Sequence, residues 1–255
     1  MATFSLAGRK AAVAGGFGKI GRGVVDALIR QGARVFVLDI EAAMSVDPVG
    51  RPEGAEFRVF DVTKVEAAVE RLRAIDAEVQ GLDIWVNCAY PKTPGWATGR
   101  EDASVEAFRG AVDAQLTGPV LLAETAARLM AERGRGSIVQ IGSTYGMVSP
   151  DFQMYEGLTM GAPSAYSAVK GGLVGHMRWL AGRYGRQGVR VNIVCPGGIE
   201  WTQSEEFKRR YSARTMLGRM AGGQEIGGPV AFLASDAASY VTGAVLMVDG
   251  GWTAL

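Results

Sequence analysis

Short apolar runs alternate with helix-patterned segments along nearly the whole chain, and this alternation constrains the fold more than any other feature. Residues 10–14, 34–39, 56–61, 82–86, 137–141, 189–194 and 244–248 read as strands, most of them nearly continuous in Val, Ile, Leu and Ala. Between them, 64–79 repeats its apolar residues at helical spacing (Val65, Ala68, Val69, Leu72, Ile75), and 104–133, 164–184 and 225–234 read as further helices. Strands without a polar face need cover on both sides, and parallel strands need crossover helices that provide it. The pattern predicts a single α/β domain over 1–255, a doubly wound parallel sheet of about seven strands with helices on both faces. No composition shift marks a second domain. Two stretches exceed what a connection requires, 147–163 and 198–228, and long loops in compact domains tend to be functional.

Composition excludes several function classes. The 27 basic and 26 acidic residues leave a net charge of +1, and no basic block tracks a phosphate backbone, so no nucleic-acid partner is expected. The short cluster Lys208-Arg209-Arg210 shares its segment with Glu205 and Glu206 and reads as a solvated helix face. Cys88 and Cys195 lie at strand ends as small buried hydrophobes, and with one histidine, His176, no metal site is expected. No secretory signal or membrane-length apolar run is visible, so the reading is cytoplasmic with no membrane partner.

The first predicted strand runs into AVAGGFGKIGRG, residues 12–23. Glycines at such a strand-to-helix turn permit a tight bend and let a pyrophosphate approach the next helix's N-terminus. Gly15, Phe17, Gly18, Lys19 and Ile20 are the candidate residues for that contact. The Gly15/Gly18/Gly21 spacing differs from the commonest dinucleotide fingerprint, so context must carry the reading. Asp39 supplies it at the end of the second strand, where a carboxylate can accept both hydroxyls of an adenosine ribose and would repel a 2′-phosphate. Ile40 and Glu41 follow it, with no arginine to rescue that phosphate. The expected cofactor is therefore NAD rather than NADP. Lys19 either lies near the pyrophosphate or points to solvent.

SAYSAVKGGLVG, residues 164–175, sets Tyr166 and Lys170 four apart on one helical face. An ammonium beside a phenol favours the phenolate and lowers its pKa from about 10, so the tyrosine can exchange a proton with an alcohol near neutral pH.

Taken together, the chain resembles the short-chain dehydrogenase/reductase family over essentially its whole length. The glycine turn, Asp39, DVT at 61–63, VNCAY at 86–90, IGS at 141–143, Tyr166 with Lys170, RVNIVCPGGI at 190–199 and SYVTGAVLMVDGG at 239–251 occur in family order. The resemblance implies Tyr166 as general acid/base. It implies Lys170 on the nicotinamide ribose, lowering the tyrosine pKa, and Ser143 on the reacting oxygen. Asp61 and Val62 would meet the adenine, and Asn87 and Ala89 would lie along the adenosine ribose. Pro196, Gly197 and Ile199 would border the nicotinamide. It also implies a homotetramer, with the helices of 104–133 and 164–184 at one interface and the last strand at another.

Four positions depart from the family pattern. Ala14 replaces a threonine that braces the turn, Lys19 the middle glycine, and Tyr90 the last glycine of NNAG. Gln115, in AQLTG, stands where an asparagine helps hold a relay water, and is a relay candidate. PGGIEWT is one residue longer than the usual motif, which puts in doubt whether Thr202 reaches the carboxamide. Ser143 and Tyr166 are 23 residues apart, farther than the family norm. That insertion, with the tyrosine after NCA and the PK that follows it, looks like the branch associated with flagellin modification and sugar-acid pathways. Tyr90, Lys92, Trp96, Tyr145, Tyr155, Glu156 and Trp201 are expected to face a polar, sugar-like substrate. Lys92, Arg209, Arg210 and Arg214 are candidates for an anionic substituent. Residues 198–228 are expected to form a lid. The expected function is hydride transfer between NAD and a secondary alcohol or ketone. The alternatives are an NAD-retaining epimerase or dehydratase, disfavoured by the short C-terminal region, and a silent NAD-binding sensor, disfavoured by the intact Ser143, Tyr166 and Lys170.

Overall fold

The computed structural model describes residues 4–45, 52–93 and 104–254. In chain order the elements are β1 (Lys10–Ala14), α1 (Lys19–Arg30), β2 (Arg34–Asp39), α2 (Glu41–Ser45), β3 (Glu56–Val59), α3 (Val65–Glu78), β4 (Ile84–Asn87), α4 (Val105–Val112), α5 (Gly118–Glu132), β5 (Gly136–Ile141), α6 (Ser164–Tyr184), β6 (Val189–Pro196), α7 (Glu205–Ser212), α8 (Gly227–Ala234) and β7 (Val245–Val248). The seven strands form one parallel sheet in the order β3-β2-β1-β4-β5-β6-β7.

The strand residues divide by parity between two cores. Ala12, Ala14, Phe36, Leu38, Trp85 and Ile138 point to one face, where Leu72 and Ile75 of α3, Leu122 and Met130 of α5 and Leu173 and Met177 of α6 cover them. Ala11, Val13, Val35, Val37, Ile84, Val86 and Val139 point to the other, beneath Val24, Val25 and Leu28 of α1 and Val230 and Leu233 of α8. Because both faces are buried, the inner strands carry no polar alternation, whereas the edge strand β3 (Glu56, Phe57, Arg58, Val59) alternates.

Most departures from the sequence expectation are at boundaries. β3 ends at Val59 rather than 61, and β6 runs on to Pro196. The expected helix at 225–234 begins at Gly227, after a 3-10 turn over Gly223–Ile226. The 104–133 stretch is α4 and α5 joined by a π-helical turn, Asp113–Thr117. One extra residue in that turn displaces the backbone register, a distortion common at functional sites.

The long stretches are structured and packed together. The insertion holds a 3-10 turn, Phe152–Tyr155, and the expected lid holds α7. Met154 of the first and Phe207, Tyr211 and Met220 of the second form a third, smaller core with Trp252.

Strand order reverses between β1 and β4, and ligands of open parallel sheets bind beyond the carboxyl ends at such a switch point. The glycine turn, the residues after β4 and β5, and the start of α6 meet there.

Candidate active site

Gly15 leaves β1 with φ +72°, and a Cβ there would lie 2.6 Å from the Ala89 backbone after β4. Any side chain would close the crevice between the two strands. A Cβ on Gly21 would strike the Gly15 carbonyl, so α1 can start this close to the turn only with glycine there. Gly18 is the N-cap of α1, and no side chain caps it. The first-turn N–H groups of a helix need acceptors, and an anion is a natural one.

Asp39, at the end of β2, faces the same crevice. Its Oδ2 accepts the Phe17 N–H at 3.0 Å and its Oδ1 the Ile40 N–H at 2.9 Å. Burial nevertheless raises the carboxyl above its usual range, since these two bonds only partly offset lost hydration. A half-buried carboxylate with spare lone pairs suits ribose hydroxyls. Asp61 accepts the Thr63 N–H at 2.9 Å and hydroxyl at 2.7 Å. Val62 and Asn87 are buried, and Asn87 Oδ1 accepts the Ala89 N–H at 3.3 Å. On the far side Pro196 ends β6, the Gly197 N–H donates to the Val248 carbonyl at 3.0 Å, and Ile199 bridges to Ala221. A nicotinamide dinucleotide would fit this cradle, where the glycine turn and α1 would hold its pyrophosphate and Asp39 a ribose.

Ser143 follows β5, and Tyr166 and Lys170 stand one turn apart on α6, so the three expected catalytic residues converge. The Ser143 hydroxyl stands beside the Tyr166 phenol and, as a hydrogen-bonding neighbour, favours its ionised form. Ser143 Oγ also accepts the Tyr145 N–H at 3.2 Å. Lys170 is buried, and its Nζ donates to the Ile141 carbonyl at 3.0 Å while lying 5.6 Å from the Tyr166 ring centre. Burial raises the Tyr166 phenol, and the Ser143 hydroxyl is what opposes it. Burial also lowers Lys170 to about 8.

Gln115 is buried in the π-helical turn. Its Nε2 donates to the Pro91 carbonyl at 2.7 Å, whereas Oε1 is buried without a protein partner among the described residues. The amide thus anchors the segment that carries Tyr90. The Tyr90 ring meets Tyr166 edge-on at 5.9 Å, and the Lys170 ammonium lies 5.6 Å from its centre. Tyr145 meets Tyr166 edge-on at 6.4 Å, and its hydroxyl hydrogen-bonds that of Tyr155 at 2.8 Å. Three tyrosines besides Tyr166 therefore converge on the site, and Tyr155 comes from the insertion.

The arginines expected to meet an anionic substituent are otherwise engaged. Arg210 Nε binds Glu206 at 2.6 Å, and its Nη1 donates to the Glu156 carbonyl at 2.7 Å. Arg209 pairs with Glu206 at 2.7 Å and Arg214 with Asp151 at 3.2 Å. Arg210 and Arg214 tie the lid to the insertion instead of facing the site unpaired. Lys92 is exposed, Thr202 is exposed beside Trp201, and Trp96 lies outside the described residues. Lys19, left open between pyrophosphate and solvent, has its Nζ 4.1 Å from the centre of the Trp201 ring. Sequence reasoning missed Tyr211, whose hydroxyl accepts the Gly198 N–H at 2.6 Å, and Trp252, stacked on it at 6.2 Å. The spacing of Phe207 and Tyr211 four apart could have shown a buried stripe beneath the basic residues. Among the described residues no group of acidic, histidine or cysteine side chains could hold a metal ion.

Comparison with known proteins agrees with this arrangement. The family model described as enoyl-(acyl carrier protein) reductase matches residues 16–253. Cis-4-hydroxycyclohexanecarboxylate dehydrogenase of Sinomonas cyclohexanicum is 34% identical over 98% of this chain and 99% of its own. Galactitol 2-dehydrogenase (L-tagatose-forming) of Cereibacter sphaeroides is 34% identical over 98% of this chain and 97% of its own. Post-translational flagellin modification protein A of Campylobacter coli is 28% identical over 94% and 96%. Among solved structures, a short-chain dehydrogenase of Leptospira borgpetersenii with bound NAD+ superposes with TM-score 0.87 at 33% identity, covering 98% of this chain and 95% of that one. A gluconate 5-dehydrogenase of Burkholderia cenocepacia, in complex with NADP and tartrate, superposes with TM-score 0.86 at 27% identity, covering 99% and 98%. With its parallel sheet, its glycine cradle and its Ser143, Tyr166 and Lys170 brought to one crevice, this chain belongs to the short-chain dehydrogenase/reductases and is an oxidoreductase of that type.

Proposed function

We propose that the protein is an NAD-dependent dehydrogenase that oxidises a secondary alcohol, or reduces the ketone, of a polar sugar-like or polyol substrate. The observation that carries this reading is the convergence of Ser143, Tyr166 and buried Lys170, whose Nζ lies 5.6 Å from the Tyr166 ring centre, in the crevice that Asp39 also faces. When bound, the nicotinamide supplies the hydride-accepting carbon. The chain does the rest. Ser143 orients the substrate oxygen, and Tyr166 removes its proton in oxidation or returns one in reduction. Lys170, held by the Ile141 carbonyl, places a positive charge beside the phenolate as it forms. Gln115 keeps Tyr90 against Tyr166 rather than taking a proton itself. Asp39 favours NAD, because a 2′-phosphate would meet a carboxylate.

The tyrosine-lined site supports a sugar-like substrate, since aromatic faces suit the CH faces of such molecules and hydroxyls their rims. With Arg209, Arg210 and Arg214 engaged, a neutral polyol suits the site better than a sugar acid. The insertion and Tyr90 support the sugar-pathway branch. We also propose a single-domain cytoplasmic homotetramer. Among the described residues no helix is long and apolar enough to cross a membrane.

The test is coenzyme reduction with NAD+ and NADP+ across polyols, sugars, aldonates and simple secondary alcohols. Turnover is expected with NAD+ on a polyol or sugar. Tyr166→Phe should reduce kcat by about a hundredfold or more, with NADH affinity retained. Asp39→Ala should narrow the NAD+ preference. Faster turnover with NADP+ in the unaltered protein would refute the role given to Asp39.

A further inference from the structure

The expected lid is fastened to the molecule at several places, and one of them joins it to the cofactor turn. Its C-terminal limb is closely packed on α1, where a Cβ on Gly223 would strike the Lys19 carbonyl. Arg210 of α7 and Arg214, two residues past its end, tie the lid to the insertion. The N-terminal limb, 199–203, reaches the cofactor turn through a side chain. The Trp201 N–H donates to Gln203 Oε1 at 2.6 Å, and Gln203 Nε2 donates to the Ile199 carbonyl at 2.9 Å. This turn presents the Trp201 indole to Lys19, whose Nζ lies 4.1 Å from the ring centre. Glu200 adds a favourable charge to Lys19 and pairs with Lys208 at 3.3 Å, so the ammonium also feels Lys208.

We propose that Lys19 is a positioning residue that latches the lid through Trp201 and couples that latch to the dinucleotide. Lys19 is the first residue of α1, directly after the uncapped Gly18 N-cap. Its flexible stem lets the ammonium face an indole and a neighbouring pyrophosphate together. The indole is 62% exposed, so this is a weak cation–π contact that can open and re-form. An anion on the same turn adds a second partner to the ammonium in its latched position, and so favours the closed lid. The latch itself stands on the Lys19–Trp201 geometry; its coupling rests on the dinucleotide reading above.

Two measurements separate these parts. The first is limited trypsin digestion without cofactor, following cleavage after Lys208, Arg209 and Arg210 by mass spectrometry. Lys19→Met and Trp201→Leu should each speed this cleavage by about two- to fivefold, the population change expected for an exposed cation–π contact. Lys19→Arg, which keeps a cation able to stack, should cleave as the unaltered protein does. Unchanged cleavage in both Lys19→Met and Trp201→Leu overturns the latch. The second is NADH binding by calorimetry. Each of those two substitutions should weaken NADH, and the double variant should bind no more weakly than Lys19→Met alone. Losses that multiply, or full NADH affinity in Trp201→Leu, overturn the coupling. An unaltered protein that binds no NADH refutes the dinucleotide reading and with it the coupling, while the digestion still decides the latch.

Discussion

Lys170 shows how a residue can be placed at a cost that solution measurements can read. Its ammonium is buried between α6 and the end of β5, with the Ile141 carbonyl as its hydrogen-bond acceptor. Its pKa falls from 10.5 to about 8. A cation whose folded pKa lies below its unfolded value destabilises the fold while both states are protonated. Between the two values the unfolded chain binds more protons, so stability rises with pH. The protein should gain stability between about pH 8 and 10.5 from this group, on the order of 3 kcal/mol in full. Lys170→Met should flatten that part of the stability curve, measured by denaturant unfolding at a series of pH values. A slope equal to that of the unaltered protein would mean that the ammonium is hydrated in the folded state.

Among the elements, α3, α5 and the approach to β4 meet at a partly buried ion pair, with Asp76 buried and the Arg133 side chain 29% exposed. Arg133, just past α5, binds Asp76 of α3 with both terminal nitrogens, at 2.8 and 3.0 Å, and also donates to the Leu82 carbonyl at 2.8 Å. Asp76 in turn accepts the Leu82 N–H at 2.7 Å. Asp76→Ala would strand the guanidinium and the amide together. Arg133 keeps access to water, so the loss should fall below that of a fully buried pair, at about 2 kcal/mol, mostly from the stranded amide. Thermal or denaturant unfolding would show it, and Asp76→Asn, which keeps an acceptor for the amide, should lose less. The strands and main helices were legible from the sequence because their apolar residues repeat at fixed periods. The pairing of Tyr166 with Lys170 was legible because a helix sets their spacing, whereas Ser143 was reached only through the family resemblance. The π-helical turn was not, because a one-residue change of helical register leaves no mark in the hydrophobic pattern. Nor was the link between lid and insertion, which joins Arg210 to carbonyls more than fifty residues away, and carbonyls have no sequence signature.

At the scale of the whole molecule, α4, α5 and α6 carry exposed apolar side chains. Val105, Phe108, Leu121 and Trp179 are 59, 37, 39 and 54% exposed. A second copy packed on these helices would cover them, in line with the proposed tetramer. Light scattering should give the mass of four chains, and Trp179→Glu should shift it toward smaller assemblies without loss of the far-ultraviolet helix signal. A unit of one chain in the unaltered protein would refute the tetramer.

The small core of Met154, Phe207, Tyr211, Met220 and Trp252 bears on how this protein could have acquired its specificity. Two segments distant in sequence pack there against each other and Trp252, so neither can be exchanged with a relative in isolation. A chimaera that borrowed only a shorter insertion would leave Phe207 and Tyr211 facing water. One that borrowed only the lid would leave Met154 and Tyr155 without their cover. If these segments hold the substrate as proposed, a new preference would have to be grafted as a pair, both segments at once.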